Sequence, residues 1–188
     1  MKILIITGPP YSGKGTQCRI LKEKFGYNHI STGDQCRIEK ENNTVIGKIM
    51  SEYEEKGDLV PDAIIKDLFE KIIDKNLKGE GIILDGYPRT ISQVKDLIKL
   101  VTLKELKIKK VVHINVPHNE LLVRAQKRAE TSNRIDDKDV RIHKKRIEVY
   151  EQFTQPAIEF MKSNLNFIEV DGLGKIEEIT EKIIQNLK

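Results

Sequence analysis

The sequence lacks any apolar run approaching the roughly 20 residues that a membrane-spanning helix requires. The first predicted strand starts at Ile3, so we expect no signal or transit peptide. Cysteine is scarce, because Cys18 and Cys36 are too few for a disulfide framework. These absences predict a cytoplasmic protein, in a reducing compartment, that does not associate with membranes.

Repeats and metal-ligand spacings are absent as well. The sequence contains no internal repeat, low-complexity tract or linker, so we expect residues 1–188 to form a single domain. The histidines are scattered without the spacing of metal ligands, which predicts structural or surface roles for His29, His113, His118 and His143. The lysine-rich segment 103–110 lacks interleaved aromatic residues, which predicts a solvated helix end and no nucleic-acid site.

The composition and its patterning indicate a globular α/β protein. Hydrophobic residues make up 38% of the chain and charged residues 33%, as in globular and not disordered chains. The formal net charge of +4 suits anionic small molecules as well as nucleic acid. Longer helical patterns alternate with the short apolar runs "ILIITG", "YNHIS", "GIILDG", "VVHINVP" and "NFIEVDG". This alternation predicts a parallel sheet with helices on both faces, which binds ligands at the carboxyl ends of its strands.

The stretch after the first predicted strand, "GPPYSGKGT" at 8–16, has the spacing of a phosphate-binding loop. Gly8 and Gly13 permit a tight backbone that turns successive N–H groups inward. Lys14 supplies a mobile cation for the β and γ phosphates, and the N-terminus of the following helix adds partial positive charge. The order of strand, loop and helix favours a phosphate cradle over a glycine-rich turn with a solvated lysine.

A Mg²⁺ site is expected beside this cradle. Gly15 follows Lys14, so the hydroxyl that usually contacts the metal is displaced to Thr16. The ion would then be held largely through water and through more distant carboxylates. The candidates are Asp85, at the end of a second predicted strand, and Asp34.

Three further motifs, "STGDQCR", "GDLVPD" and "DGYPRTISQ", precede an arginine-rich stretch that begins at "VPHNELLVRAQKR" and ends at "KKR". Together with "GKGTQ", and in this order, they resemble the adenylate kinase family of nucleoside monophosphate kinases along essentially the whole chain. The resemblance implies a P-loop fold on a five-stranded parallel sheet, with a helical monophosphate-binding flap at 31–60 and a short lid at 128–138. It also implies a monomer that transfers a phosphoryl group from MgATP to AMP.

The resemblance further implies which residues form the site. The ATP-binding residues are Gly8, Tyr11, Ser12, Gly13, Lys14, Gly15, Thr16, Arg124, Arg128 and Gly174. The AMP-binding residues are Thr32, Arg37, Asp58, Leu59, Val60, Gly86, Tyr87, Pro88, Arg89, Gln93, Arg134 and Arg146. The catalytic residues are Lys14, Arg89, Arg128, Arg134 and Arg146. Arginine suits this work because its planar fork is always charged and can bind phosphate through two hydrogen bonds.

The acceptor nucleotide depends on few positions. Thr32 and Thr90 differ from the residues that are typical of pyrimidine-specific relatives, and Gln93 can offer its carboxamide to an adenine. These residues match AMP, with a UMP or CMP kinase as the near alternative. Tyr11 stands where the family has glycine, and the stretch 134–146 is one residue longer than is common. The two departures motivate a third hypothesis, a weakly active nucleotide-binding homologue.

Overall fold

The computed structural model describes residues 1–131 and 140–187. Within these residues the strands are β1 (Lys2–Thr7), β2 (Asn28–Ser31), β3 (Gly81–Asp85), β4 (Lys107–Asn115) and β5 (Phe167–Asp171). They form one sheet in the order β2-β3-β1-β4-β5, and neighbouring strands run parallel. The predicted five-stranded parallel sheet is therefore confirmed.

Helices occupy most of the remaining described chain. They are α1 (Lys14–Phe25), α2 (Thr32–Glu41), α3 (Val45–Lys56), α4 (Asp62–Lys75), α5 (Ile91–Leu103), α6 (His118–Thr131), α7 (Val140–Val149), α8 (Gln155–Asn164) and α9 (Ile176–Gln185). A π-helical turn, Tyr150–Thr154, joins α7 to α8. In the part of the chain that the structure describes, none of the helices is both long and apolar enough to cross a membrane.

The central strand β1 shows why helices cover both faces of the sheet. Residues 3–6 are at most 1% exposed, and successive side chains of a strand point to opposite faces. Ile3 and Ile5 pack in a cluster with residues of α4, α5 and α8. Leu4 and Ile6 pack in a second cluster with residues of α1, α6 and α9. A run that is apolar at every position therefore fits a strand buried on both sides.

The strand register collects polar residues at one edge of the sheet. Ser31 of β2 is in register with Asp85 of β3, and Asp85 is in register with Ile6 of β1. Thr7, the last residue of β1, is in register with His113 of β4. Because parallel strands end at the same edge, the loops that follow β1 and β3 leave the sheet side by side.

The N-terminus of α1 lies at this edge. The helix begins at Lys14 directly after Gly13, and no side chain among the described residues caps it. Its first turn contains no acidic residue. The first N–H groups of a helix need acceptors and carry partial positive charge, so this uncapped end favours an anion. By contrast, Thr90 caps α5 by accepting from the N–H of Gln93.

Candidate active site

One cavity of about 1040 Å³ opens at the carboxyl edge of the sheet. Sites for one small molecule usually occupy about 300–1,000 Å³, so this cavity has room for a long or a second ligand. Predicted residues from every motif line it: Gly8, Tyr11, Ser12, Gly13, Lys14, Gly15, Thr16, Thr32, Asp34, Arg37, Asp58, Leu59, Val60, Asp85, Gly86, Tyr87, Pro88, Arg89, Gln93, Arg124, Arg128 and Arg146. The fold thus brings side chains of distant motifs around one space.

Two predicted site residues stand apart from this group. Gly174 lies in the loop after β5 and is not among the described residues that line the cavity. Two positions before it, the carbonyl oxygen of Gly172 accepts a hydrogen bond of 2.9 Å from Arg124. Arg134, together with the predicted lid residues 132–138, lies outside the described residues.

The loop between β1 and α1 forms the phosphate cradle. Gly8 has a φ of 148°, and a Cβ there would lie 2.5 Å from the carbonyl oxygen of Ile114, so only glycine fits. Nζ of Lys14 donates to the carbonyl oxygens of Gly8 at 2.9 Å and Pro9 at 2.7 Å. Burial lowers the pKa of Lys14 to about 8, although the carboxylate of Asp85 opposes the shift. A phosphate would stabilise the charge of this desolvated ammonium.

Asp85 ends β3 beside the cradle and is buried. Its Oδ2 is hydrogen-bonded to Nε2 of His29 at 3.2 Å, and a Cβ on Gly15 would lie 3.6 Å from the same oxygen. The carboxylate therefore lies against the backbone on which the phosphates are expected. Mg²⁺ prefers oxygen ligands and keeps several waters, so Asp85 and the hydroxyl of Thr16 fit a nucleotide-bound Mg²⁺.

Asp34, the other carboxylate expected near the metal, lies in the first turn of α2. Its Oδ1 accepts a hydrogen bond from the guanidinium of Arg37, one turn later in the same helix. The side chains are 53% and 33% exposed, respectively. Asp34 is therefore an exposed partner of Arg37 on the cavity wall, whereas Asp85 is the buried carboxylate at the cradle.

Arg89 follows β3, and its half-buried guanidinium is a second cation at the cavity. The carbonyl oxygen of Gly86 accepts from Nε of Arg89 at 2.6 Å and from the hydroxyl of Thr32 at 2.8 Å. Burial lowers the pKa of the Arg89 guanidinium, while the charge of Asp85 opposes this effect. Arginine nevertheless stays charged in proteins, so an anion at this wall would stabilise it.

The carboxamide of Gln93 is held between two neighbours in the cavity wall. Its Oε1 accepts from the backbone N–H of Arg89, and its Nε2 donates to Oδ1 of Asp62, both at 2.7 Å. Oδ2 of Asp62 in turn accepts from the hydroxyl of Thr90 at 2.8 Å. A carboxamide has two N–H donors and two acceptor lone pairs, and these two contacts use one of each. The other N–H and lone pair can serve a ligand in a fixed orientation.

Arginines of α6 and α7 complete the wall above the cradle. Nε of Arg124 donates to Glu120 at 2.8 Å, which orients the guanidinium along α6. The guanidinium carbon of Arg128 lies 4.9 Å from the centre of the Tyr11 ring, a cation–π arrangement. Arg146 of α7 also lines the cavity. Positive charge from these helices therefore borders the space next to the phosphate cradle.

Two histidines contact the site although they were not among the predicted site residues. His29 lines the cavity and is hydrogen-bonded to Asp85. The sequence contained one indication of the position of His29. It lies two residues before Ser31 in β2, and residues two apart in a strand point to the same face. His143 is buried and is hydrogen-bonded to the Tyr11 hydroxyl. No local pattern could reveal that contact, since the two residues are 132 positions apart.

Comparison with known proteins agrees with this geometry. The family model described as "Adenylate kinase" matches residues 6–166. The adenylate kinase of Flavobacterium psychrophilum is 36% identical over 187 residues, with 98% of each chain covered. That of Bacteroides thetaiotaomicron is 38% identical over 182 residues (97% of this chain, 96% of the relative). The adenylate kinase of Leptospira biflexa serovar Patoc is 39% identical over 187 residues, and the match covers 100% of both chains. The protein belongs to the adenylate kinase family.

Proposed function

We propose that this protein transfers the γ-phosphoryl group of MgATP to AMP, reversibly, and forms two molecules of ADP. One observation carries the proposal. A single cavity contains a phosphate cradle with the half-buried Lys14, a second half-buried cation at Arg89, and the oriented carboxamide of Gln93. A protein that only bound one nucleotide would not need a second cationic phosphate site in the same cavity.

The phosphate cradle is the part of the site that would bind the phosphoryl donor, ATP. The uncapped N-terminus of α1 offers N–H groups to the phosphates of ATP. Lys14 exchanges its two carbonyl contacts for the β and γ phosphates and remains charged beside them. Mg²⁺ carried by ATP supplies further neutralisation of the phosphates when bound. Asp85 would hold that ion through water, with Thr16 on the other side of the cradle.

The opposite half of the site would bind the phosphoryl acceptor, AMP. Arg37 and Arg89 would clamp the phosphate of AMP, because both guanidinium groups line the cavity. Thr32 and the backbone of Asp58, Leu59 and Val60 would contact the sugar and base. The second N–H of Gln93 and its second lone pair match the alternating donor and acceptor of the adenine edge.

Charge develops on the phosphoryl oxygens during transfer, and arginines would stabilise it. Arg128 and Arg146 line the cavity and supply two such charges, and we propose Arg134 as a third. The flap at 31–60 and the lid at 128–138 would close over the nucleotides and exclude water, which would otherwise hydrolyse ATP. Since all these residues come from one chain, we propose that the protein acts as a monomer. We also propose that it acts in the cytoplasm.

The test is a direct product measurement. Purified protein, MgATP and AMP are mixed, and ADP is quantified by chromatography or ³¹P NMR. We expect two ADP for each AMP consumed. Lys14→Met should lower turnover at least about a hundredfold, because the lysine stabilises developing charge and not the core. A normal circular dichroism spectrum would show that the variant is folded.

Two results would contradict the proposal. Failure to form ADP from ATP and AMP at any concentration would favour the weakly active homologue. If Lys14→Met kept more than about a tenth of the turnover, Lys14 would not be the lysine of the cradle.

A further inference from the structure

Three side chains with metal-binding atoms meet below the phosphate cradle. They are Cys18 of α1, His29 of β2 and Asp85 of β3. Their ligand atoms all lie within 4.8 Å of one another. The proposed phosphoryl transfer uses Asp85 alone, so the convergence of Cys18 and His29 on the same point needs its own explanation.

The distances fit a small tetrahedral site. Zinc binds nitrogen and oxygen at about 2.0–2.1 Å, which sets the separation of two such ligands at about 3.3 Å in a tetrahedron. Nε2 of His29 and Oδ2 of Asp85 are 3.2 Å apart, so this edge of the site is already formed. The sulfur of Cys18 needs to move by up to about 1.4 Å toward that pair to reach a Zn–S bond of about 2.3 Å in a tetrahedral site.

The chemistry of the ligands selects the ion. A thiolate, an imidazole and a carboxylate together suit zinc-class transition metals, whereas Mg²⁺ selects oxygen ligands and water. Cys18 is fully buried, while the side chains of His29 and Asp85 are 10% and 11% exposed and line the cavity. Three protein ligands with a fourth position toward a cavity is the arrangement of an accessible zinc site. Water or a phosphate oxygen could take the fourth position.

We propose that Cys18, His29 and Asp85 bind a zinc-class divalent ion, and that this ion inhibits phosphoryl transfer. Binding releases the proton of the Cys18 thiol to solvent, because only the thiolate is a ligand. The ion occupies Asp85, which MgATP needs, and it places two positive charges near Lys14. The inhibition rests on the proposed function, whereas the binding does not.

The binding is tested without nucleotide and without an activity assay. Co²⁺ serves as the probe because a thiolate ligand gives it a charge-transfer absorption in the near ultraviolet. Titration of the reduced protein should produce this absorption with one equivalent of Co²⁺, and Zn²⁺ should abolish it. Cys18→Ala should remove the absorption, and His29→Asn should weaken Co²⁺ binding at least about tenfold.

Cys36→Ala is the matched control, because Cys36 is also buried but contacts Glu54 in the flap. It should leave the Co²⁺ absorption unchanged. If the wild type showed no thiolate absorption, or if Cys18→Ala kept it, the site would not exist.

The inhibition is tested in the ADP assay at fixed free Mg²⁺ with buffered micromolar Zn²⁺. Wild type should lose at least about tenfold in rate, and Cys18→Ala should resist while its rate without Zn²⁺ stays within about twofold of wild type. Equal inhibition of both proteins would show that Zn²⁺ acts through the nucleotide, and would overturn the inhibitory role. If neither protein formed ADP, the proposed function would fail, but the Co²⁺ titration would still decide the site.

Discussion

The Tyr11 hydroxyl and Nδ1 of His143 share a hydrogen bond that ties the phosphate cradle to α7. The two rings are nearly perpendicular, with centres 5.1 Å apart and an interplanar angle of 72°. On α6, the guanidinium of Arg128 lies over the same tyrosine ring. Tyr11 therefore contacts both α6 and α7, the helices that flank the segment 132–139.

We expect Tyr11→Gly to lower kcat about tenfold, because Arg128 loses the ring that positions it at the cavity. Tyr11→Phe keeps the ring and removes the hydroxyl that bonds to His143, so its kcat should stay within about threefold of wild type. Tyr11 has a φ of 68°, a conformation that costs a non-glycine residue about 1–2 kcal/mol. Tyr11→Gly should therefore not impair folding through backbone strain.

Steady-state kinetics of the two variants, alone and combined with Arg128→Ala, provide the measurement. If Tyr11 acts through Arg128, Tyr11→Gly should have little further effect in the Arg128→Ala background. Equal losses in both backgrounds would show that the ring has another function.

The affinity for MgATP should fall as the pH rises through about 8. Burial holds the pKa of Lys14 at about 8 in the nucleotide-free protein, and bound phosphates would raise it again. Above that pH the complex binds more protons than the free protein, so binding weakens by up to about tenfold per pH unit. Calorimetry across this range should show the fall in wild type and a flatter profile in Lys14→Met. Parallel profiles for the two proteins would exclude Lys14 as the titrating group.

Arg89→Ala should damage AMP binding far more than ATP binding. Hydrogen bonds to charged groups contribute about 1.5–3 kcal/mol, so the affinity for AMP should drop about 10- to 100-fold. The affinity for ATP should change by less than about threefold, because the cradle is intact. Calorimetry with each nucleotide measures the affinities for AMP and ATP. Lys40→Ala is the control, because Lys40 pairs with Glu55 at an exposed position of the flap. Equal weakening of AMP and ATP would contradict the assignment of Arg89.

His113 should make the fold sensitive to acid. It is buried in β4 and stacked on Phe167, and burial lowers its pKa to about 4. Between about pH 6.5 and 4 this histidine is protonated in the unfolded chain but not in the folded chain. The free energy of unfolding therefore decreases as the pH falls. The loss attributable to this group is at most about 3 kcal/mol.

Urea unfolding at several pH values measures this effect. His113→Leu should flatten the decline of stability between about pH 6.5 and 4, whereas the exposed His118→Leu should not. If His113→Leu declined as steeply as wild type, other groups would account for the acid sensitivity.

The sequence predicted what depends on local pattern. A fully apolar run fixes β1 as a buried strand, and the glycines and lysine after it define the cradle before α1. Because parallel strands end at one edge of a sheet, the sequence also predicts that Asp85 lies near the cradle. The contacts between Gln93 and Asp62 and between Tyr11 and His143 were not predictable, since they join segments that approach only in the folded chain. The two hydrogen bonds that orient Gln93 therefore became known only from the structure.

The choice of acceptor follows from that orientation. Gln93 presents a fixed donor and acceptor, and a base that cannot pair with them leaves buried polar groups unsatisfied, at about 1–3 kcal/mol for each lost bond. We therefore expect two such bonds to separate AMP from CMP or UMP by roughly two to four orders of magnitude in specificity constant. Gln93→Leu should shrink this preference and leave the affinity for ATP nearly unchanged. Full discrimination in the variant would mean that other residues recognise the base.

The most direct measurement is the specificity constant, kcat/KM, of the wild-type protein for AMP, CMP and UMP, with MgATP as donor. We predict that AMP exceeds both pyrimidine nucleotides by roughly two to four orders of magnitude. A protein that used CMP or UMP as well as AMP would contradict the central claim, and would identify a pyrimidine nucleotide kinase on the same fold.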